Sequence, residues 1–175
     1  MTPMPPHLEG RARVFGDDVN TDYIISSRRK RESLDPQVLR RYLFEELNPD
    51  LAPSLVPGDL IVAGKNFGCG SAMEVAVTAV LGAGVRAVLA RSFSRTYYRN
   101  AVNNGLLPVI CDTQGISEGD HITISFTGSE KIKITVRNDR TGNTIQAESL
   151  PQIMQDILQA GGLVPYFRQY GDFRV

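Results

Sequence analysis

The chain has 175 residues, 42% of them hydrophobic and 22% charged, with 19 basic side chains against 19 acidic ones. That length suffices for one domain whose core needs no staple, and the balanced charge removes any global electrostatic case for nucleic acid or an anionic membrane as partner. Two cysteines, Cys69 and Cys111, make neither a disulfide framework nor a metal set and suit a reducing cytosol.

In chain order, residues 1–9 are proline-rich and read as a flexible N-terminal arm, ahead of a single folded domain over 10–175. The opening Met1-Thr2-Pro3-Met4-Pro5-Pro6 has neither the basic nor the apolar stretch of a secretory signal, and no run approaches a membrane span, so a cytoplasmic protein is expected. Arg11 to Phe15 alternates weakly as a strand. Gly16-Asp17-Asp18-Val19-Asn20-Thr21-Asp22 is then a polar turn, without the spacing of a calcium loop, leading into Tyr23-Ile24-Ile25. Ser26-Ser27-Arg28-Arg29-Lys30-Arg31 bunches four cations, which by itself is the pattern of a solvated face. Val38, Leu39, Tyr42, Leu43 and Leu47 fall at helical spacing behind Pro36 and before Asn48-Pro49, predicting a helix over 35–47. A proline-marked turn from Pro53 to Pro57 follows.

Leu60-Ile61-Val62 reads as a buried strand and Ala72 to Leu81 as an apolar helix. Between them Gly64, Gly68 and Gly70 let the backbone turn sharply and approach a bound group closely. Ser71 with Glu74 three places on is a capping-box pattern, which places the serine oxygen beside free N–H groups at the positive end of a helix. An anion or alkoxide is favoured there, so Ser71 is a candidate catalytic group; an ordinary helix cap has the same spacing. Met73 stands where a dinucleotide fingerprint needs glycine or alanine, and no Gly-Lys-Ser/Thr follows, so neither nucleotide pattern applies.

Gly82-Ala83-Gly84 and the apolar run Arg86 to Ala90 complete a strand-helix-strand crossover with parallel neighbours. A short helix is predicted over 93–103 and a strand over 106–111. Beyond Asp112 the pattern alternates in twos: 121–126 and 131–137 form a hairpin, 144–147 adds a strand, and 150–160 carries a helical apolar stripe ending at Gly161-Gly162. Neither His7 nor His121 has a place beside Ser71, which argues against a Ser-His hydrolase.

Gly58-Asp59-Leu60-Ile61-Val62-Ala63-Gly64-Lys65-Asn66-Phe67-Gly68-Cys69-Gly70-Ser71 resembles the 3-isopropylmalate dehydratase (isopropylmalate isomerase) small-subunit family, equivalent to the swivelling domain of aconitase. Asp17 to Ile25, Arg91-Ser92-Phe93-Ser94-Arg95 through Asn104-Gly105-Leu106-Leu107-Pro108, and Ile157 to Val164 resemble it too. The resemblance implies an α/β fold, specifically a β/β/α swivelling domain with a strand-helix-strand core and a flanking antiparallel part. It implies a cluster-bearing large subunit as partner, in a heterodimer or heterotetramer, with a [4Fe-4S] cluster on that subunit and no metal on this chain. The implied reaction is dehydration or isomerisation of a 2-hydroxy diacid, as in leucine biosynthesis. Related homoaconitase, dimethylmalate or citraconate-type hydratases, or a non-catalytic assembly module, are the alternatives.

By the same resemblance Ser71 is the base and Asp22 an active-site residue. The segment from Ser26 to Arg31 corresponds to a mobile specificity loop in which Arg28, Arg29 or Arg31 would pair a substrate carboxylate. Gly70, Ala72 and Met73 would line the substrate. The family's Ser-Ser-Arg-Glu-His is here Ser71-Ala72-Met73-Glu74-Val75, so the arginine that binds a carboxylate is missing. Either a loop cation or Arg95 replaces it, or the substrate presents an apolar group to Met73.

Overall fold

The computed structural model describes residues 5–128 and 132–173. Strand β1 (His7–Val14) leads to helices α1 (Thr21–Ile24), α2 (Ser27–Glu32), α3 (Pro36–Leu39) and α4 (Leu51–Ser54). Alternation of β2 (Leu60–Ala63), α5 (Val75–Gly82), β3 (Ala87–Ala90), α6 (Arg95–Asn103) and β4 (Leu107–Ile110) builds the crossover core. An antiparallel part, β5 (His121–Thr127), β6 (Lys133–Asn138) and β7 (Thr144–Gln146), precedes α7 (Gln152–Gln159) and α8 (Leu163–Tyr170).

All seven strands join one sheet in the order β4-β3-β2-β1-β5-β6-β7. Strands β4 to β1 run parallel and β5 to β7 continue antiparallel from β1, so the expected α/β division is present in one mixed sheet. That sheet curls: just beyond β7, the Glu148 N–H donates to the Ile110 carbonyl at the end of β4 (2.9 Å). Period-two alternation assigns each strand residue to a side. Ile61, Ala63, Val88 and Ala90 enter a core with Ile24, Leu39 and the buried residues of α5, whereas Leu60, Val62, Ala87 and Leu89 enter a second with Val102, Ile157, Leu158 and Tyr166. Burial on both faces explains why the parallel strands read as continuous apolar runs.

The loose arm expected before Gly10 is shorter, because His7, Leu8 and Glu9 pair with Ser125, Ile124 and Thr123 of β5. Backbone pairing there needs no apolar side chains, so proline-rich flanks concealed it. The helix expected over 35–47 is also cut. After α3 a 3-10 turn (Arg40–Tyr42) ends where Leu43 leaves helical geometry, and Phe44 takes φ 56°, stacks on Phe15 (ring centroids 4.3 Å apart) and donates its N–H to Ile24 O. Burying that ring against Phe15 outweighs continued helix. Helix α8 was not foreseen, although Leu163, Tyr166, Phe167 and Tyr170 have its spacing.

Charged side chains fasten β1 to its surroundings. Asp59, 1% exposed, accepts from Arg11 and Arg13, and Arg13 also donates to Glu118 (2.7 Å), whose other oxygen accepts the Val14 N–H. Arg140 pairs with the buried Asp120, which also accepts from the Ser117 N–H and the Asn138 amide. These bonds hold the Asp120 carboxyl below the usual carboxylate range, Arg140 being the largest cause.

Candidate active site

The glycine turn leaves the carboxyl end of β2, the edge where open α/β sheets place their ligands. Two backbone alignments fix its path. Asn20 bridges Cys69 in parallel, with the Thr21 N–H donating to Cys69 O (2.8 Å) and the Gly68 N–H to Val19 O (2.8 Å), and Phe67 bridges Phe93 on the other side. Asp17 accepts from the Lys65 N–H and Asp18 from the Asn66 amide, with Asp18 and Asn66 both left-handed (φ 55° and 57°).

Two glycines are required by this packing. At Gly68 (φ 75°) a Cβ would lie 2.2 Å from the ring of the buried Tyr97, and at Gly70 (φ 91°) it would lie 2.5 Å from the Asn20 amide. The turn is pressed onto an aromatic floor of Phe67, Phe93 and Tyr97, and Ser94 ties its far side by donating to Gly68 O (2.7 Å) while capping α6 at the Tyr97 N–H.

Ser71 comes out exposed on this turn, and the Thr21 hydroxyl donates to its carbonyl (2.8 Å). The expected cap is not formed. Helix α5 starts at Val75, with Glu74 at its N-cap and no side-chain cap bond. Pairing of residues 68–71 with 19–21 keeps the chain extended past the serine, and Met73 must be buried before the helix begins. Ser71 therefore lacks the helix-end amides that the spacing suggested. Instead the N–H groups of Gly70, Ser71 and Ala72 donate to no acceptor among the described residues.

Asp22, next to Thr21, is half-buried. One of its oxygens, Oδ1, accepts both the N–H (3.0 Å) and the hydroxyl (2.5 Å) of Ser27, and its own N–H donates to Asn20. Together with Ser26, Ser27, Arg28, Glu45 and Glu46 it lines an open cavity of about 430 Å³. The expected specificity loop is α2, capped by Ser26, and its cations part ways. Arg29 is engaged by Glu45 through Nε and Nη2 (both 3.0 Å) and by Glu32, and stacks over the Tyr42 ring at 3.7 Å. Arg28 meets only Glu32 at 3.9 Å, and Arg31 is exposed with no ion pair among the described residues. Arg95 is likewise exposed and unpaired, but on the first turn of α6.

Met73 departs from expectation. At 4% exposed it packs in the core with Ile24 and Ile25, its sulfur 3.8 Å from Ser27 Oγ, and offers no open surface to a substrate. Asn20, Thr21 and Ser27 position this region without having been singled out by the sequence pattern. Only the Ser26-Ser27 pair ahead of the basic run carried a signal, that of a cap.

The described residues do not assemble a cluster's ligand set. Among the described residues no three His, Cys, Asp or Glu side chains converge as a metal set. Both cysteines are free, burial and then Asp18 raise the Cys69 thiol, and burial pushes Cys111 up to about 12, so neither is a ready thiolate ligand. No helix among the described residues is long and apolar enough to cross a membrane.

Residues 45–114 match the family model for the aconitase C-terminal domain, so fold and glycine turn define an aconitase-type swivelling domain. The comparison with individual proteins is more specific. Over 96% of this chain and 99% of the relative, the sequence is 42% identical to 3-isopropylmalate dehydratase small subunit 2 of Archaeoglobus fulgidus. It is 43% identical to the methanogen homoaconitase small subunit of Methanocaldococcus jannaschii, covering 93% of this chain and 92% of that one. A crystal structure of 3-isopropylmalate dehydratase from the latter organism superposes with a TM-score of 0.86 at 39% identity, over 94% of this chain and 95% of that one. The chain belongs to the 3-isopropylmalate dehydratase small-subunit family, whose members are subunits of a hydro-lyase.

Proposed function

We propose that this chain is the small subunit of a cytoplasmic heteromeric hydro-lyase that isomerises a 2-hydroxy diacid, 3-isopropylmalate in leucine biosynthesis, and that Ser71 moves the proton. The observation that carries the proposal is the exposed Ser71 hydroxyl on a turn fixed to the Asp22 segment through Thr21. A large subunit completes the site as its obligatory partner and holds the [4Fe-4S] cluster, a reading supported by the two cysteines of this chain falling short of a cluster's ligand set.

Removal of a proton from a carbon next to a carboxylate asks an ordinary serine to act far above its strength as a base. The unbonded N–H groups of Gly70, Ser71 and Ala72 supply fixed dipoles for the alkoxide, and closure against the partner removes the water that would weaken them. Such donors can contribute several kcal/mol only when preorganised, which the parallel bridge and the two required glycines provide. Asp22, fixed through one oxygen, lines the cavity beside α2. Since Met73 is buried, a substrate carboxylate is met by Arg28, Arg31 or Arg95, and Arg29 stays in its own ion pairs.

The test is kcat/KM of the complex with its cognate large subunit for isopropylmalate, dimethylmalate, homocitrate and citrate, beside the isolated chain. Isopropylmalate should be turned over best, citrate poorly, and the isolated chain should be inactive. Preference for homocitrate or citrate would overturn the substrate assignment, and turnover by the chain alone would overturn the shared site.

A further inference from the structure

Among the described residues, helix α2 hydrogen-bonds to Asp22 through one residue. Ser27, its first residue, gives both its N–H (3.0 Å) and its hydroxyl proton (2.5 Å) to Oδ1 of Asp22. Behind the hydroxyl lies the Met73 thioether, 3.8 Å away and 4% exposed. A serine hydroxyl has one proton and a thioether is a weak acceptor, so the carboxylate takes that proton while the sulfur fills the space behind it. An arginine at position 73 would bring a guanidinium within reach of the same carboxylate and compete for it. The rest of α2 is fixed separately: Ser26 caps it, and Arg29 is held by Glu45, Glu32 and the Tyr42 ring.

We propose that Ser27 is a positioning residue for the reaction: its paired bonds orient the Asp22 carboxylate and latch the cation-bearing helix α2 to the site, with Met73 as the apolar backstop that keeps the latch selective for Asp22. The inference rests on the role given to Asp22 in the proposed function. It assigns Met73 a task that needs no contact with substrate, which accounts for a buried thioether at a position where a substrate-binding group was expected. It also makes Arg28 and Arg31 move with Asp22, so that the cations presented to substrate and the active-site carboxylate keep one geometry.

The experiment compares Ser27→Ala, Ser27→Thr, Asp22→Ala and the Ser27→Ala/Asp22→Ala double variant in the assembled complex, with hydrogen exchange of the α2 amides measured on the isolated chain. Ser27→Ala should lower kcat about tenfold, the size of one hydrogen bond to a charged group, with KM changed less than about twofold, and should speed α2 exchange. Ser27→Thr, which keeps the hydroxyl, should restore both readouts to within about threefold of wild type. In the Asp22→Ala background, Ser27→Ala should add less than about twofold. The inference is overturned if Asp22→Ala is impaired while Ser27→Ala is not, if Thr fails to rescue, or if the two losses multiply. Wild-type turnover in Asp22→Ala would instead remove the role of Asp22 itself and the latch with it.

Discussion

Two charged regions of the molecule are built on opposite plans. Around β1 the buried charges are answered within the chain: Asp59 by Arg11 and Arg13, Arg13 also by Glu118, and Asp120 by Arg140 and Asn138. Around the glycine turn Asp17, Asp18 and Asp22 are answered by the groups that shape the backbone, while among the described residues the Ser71 side chain, Arg31 and Arg95 are left open. A buried charge without its partner is costly, so the first region has to be closed for the chain to fold. An exposed group costs nothing when left unpaired, so the second can be kept for a ligand. Charge count alone does not separate structure from function here. What separates them is whether each charge finds its partner in the same chain.

The largest effect is expected from breaking the closed region. Asp59→Ala removes a buried carboxylate that accepts from Arg11, Arg13 and the Val56 N–H together and should cost about 3 to 5 kcal/mol in denaturant unfolding. A loss below about 1 kcal/mol would mean that the network is not a structural fastening.

The cations of α2 sharpen the contrast within one helix. Whichever of Arg28→Ala or Arg31→Ala removes the partner of a desolvated substrate carboxylate should lower kcat/KM by about 2 to 4 kcal/mol, with stability changed by less than about 0.5 kcal/mol. Arg29→Ala should do the reverse, destabilising the fold while sparing kinetics, because its bonds run to Glu45, Glu32 and Tyr42. Kinetic loss confined to Arg29 would invert the assignment.

The smallest effect is a pH dependence. Since Arg140 holds the Asp120 carboxyl below its ordinary range, ionised Asp120 stabilises the fold above the unfolded-state pKa, and that contribution is lost as pH falls through the folded value. The stability gap between wild type and Asp120→Asn should therefore be constant from neutrality to about pH 5 and shrink below about pH 4. A gap that widened on acidification would contradict the pairing.

Legibility in the sequence followed the range of the forces involved. Strands β2, β3 and β4 and the β5–β6 hairpin were plain, because burial on two faces or one writes a run or an alternation into neighbouring residues. Phe44 was not, since its left-handed backbone is set by Phe15 and Ile24, distant in sequence. Ser71 shows both cases at once. The glycines around it announced a tight turn, yet Ser71-Ala72-Met73-Glu74 looked like a cap because local spacing says nothing about the parallel bridge from Asn20 to Cys69. Position 73 was legible as a departure from the family pattern, whereas its burial against Ser27 required the fold. Likewise four bunched cations gave no sign that Arg29 alone would be claimed by Glu45.

The central claim is that the open end of the sheet carries the chemistry through Ser71, and the direct measurement is kcat of Ser71→Ala in the assembled complex, read beside its melting temperature and its affinity for the large subunit. The account predicts a fall of at least about 10²-fold in kcat, the low end for loss of a positioned base, with melting and assembly unchanged. Near-normal turnover in a fully assembled Ser71→Ala complex would contradict it.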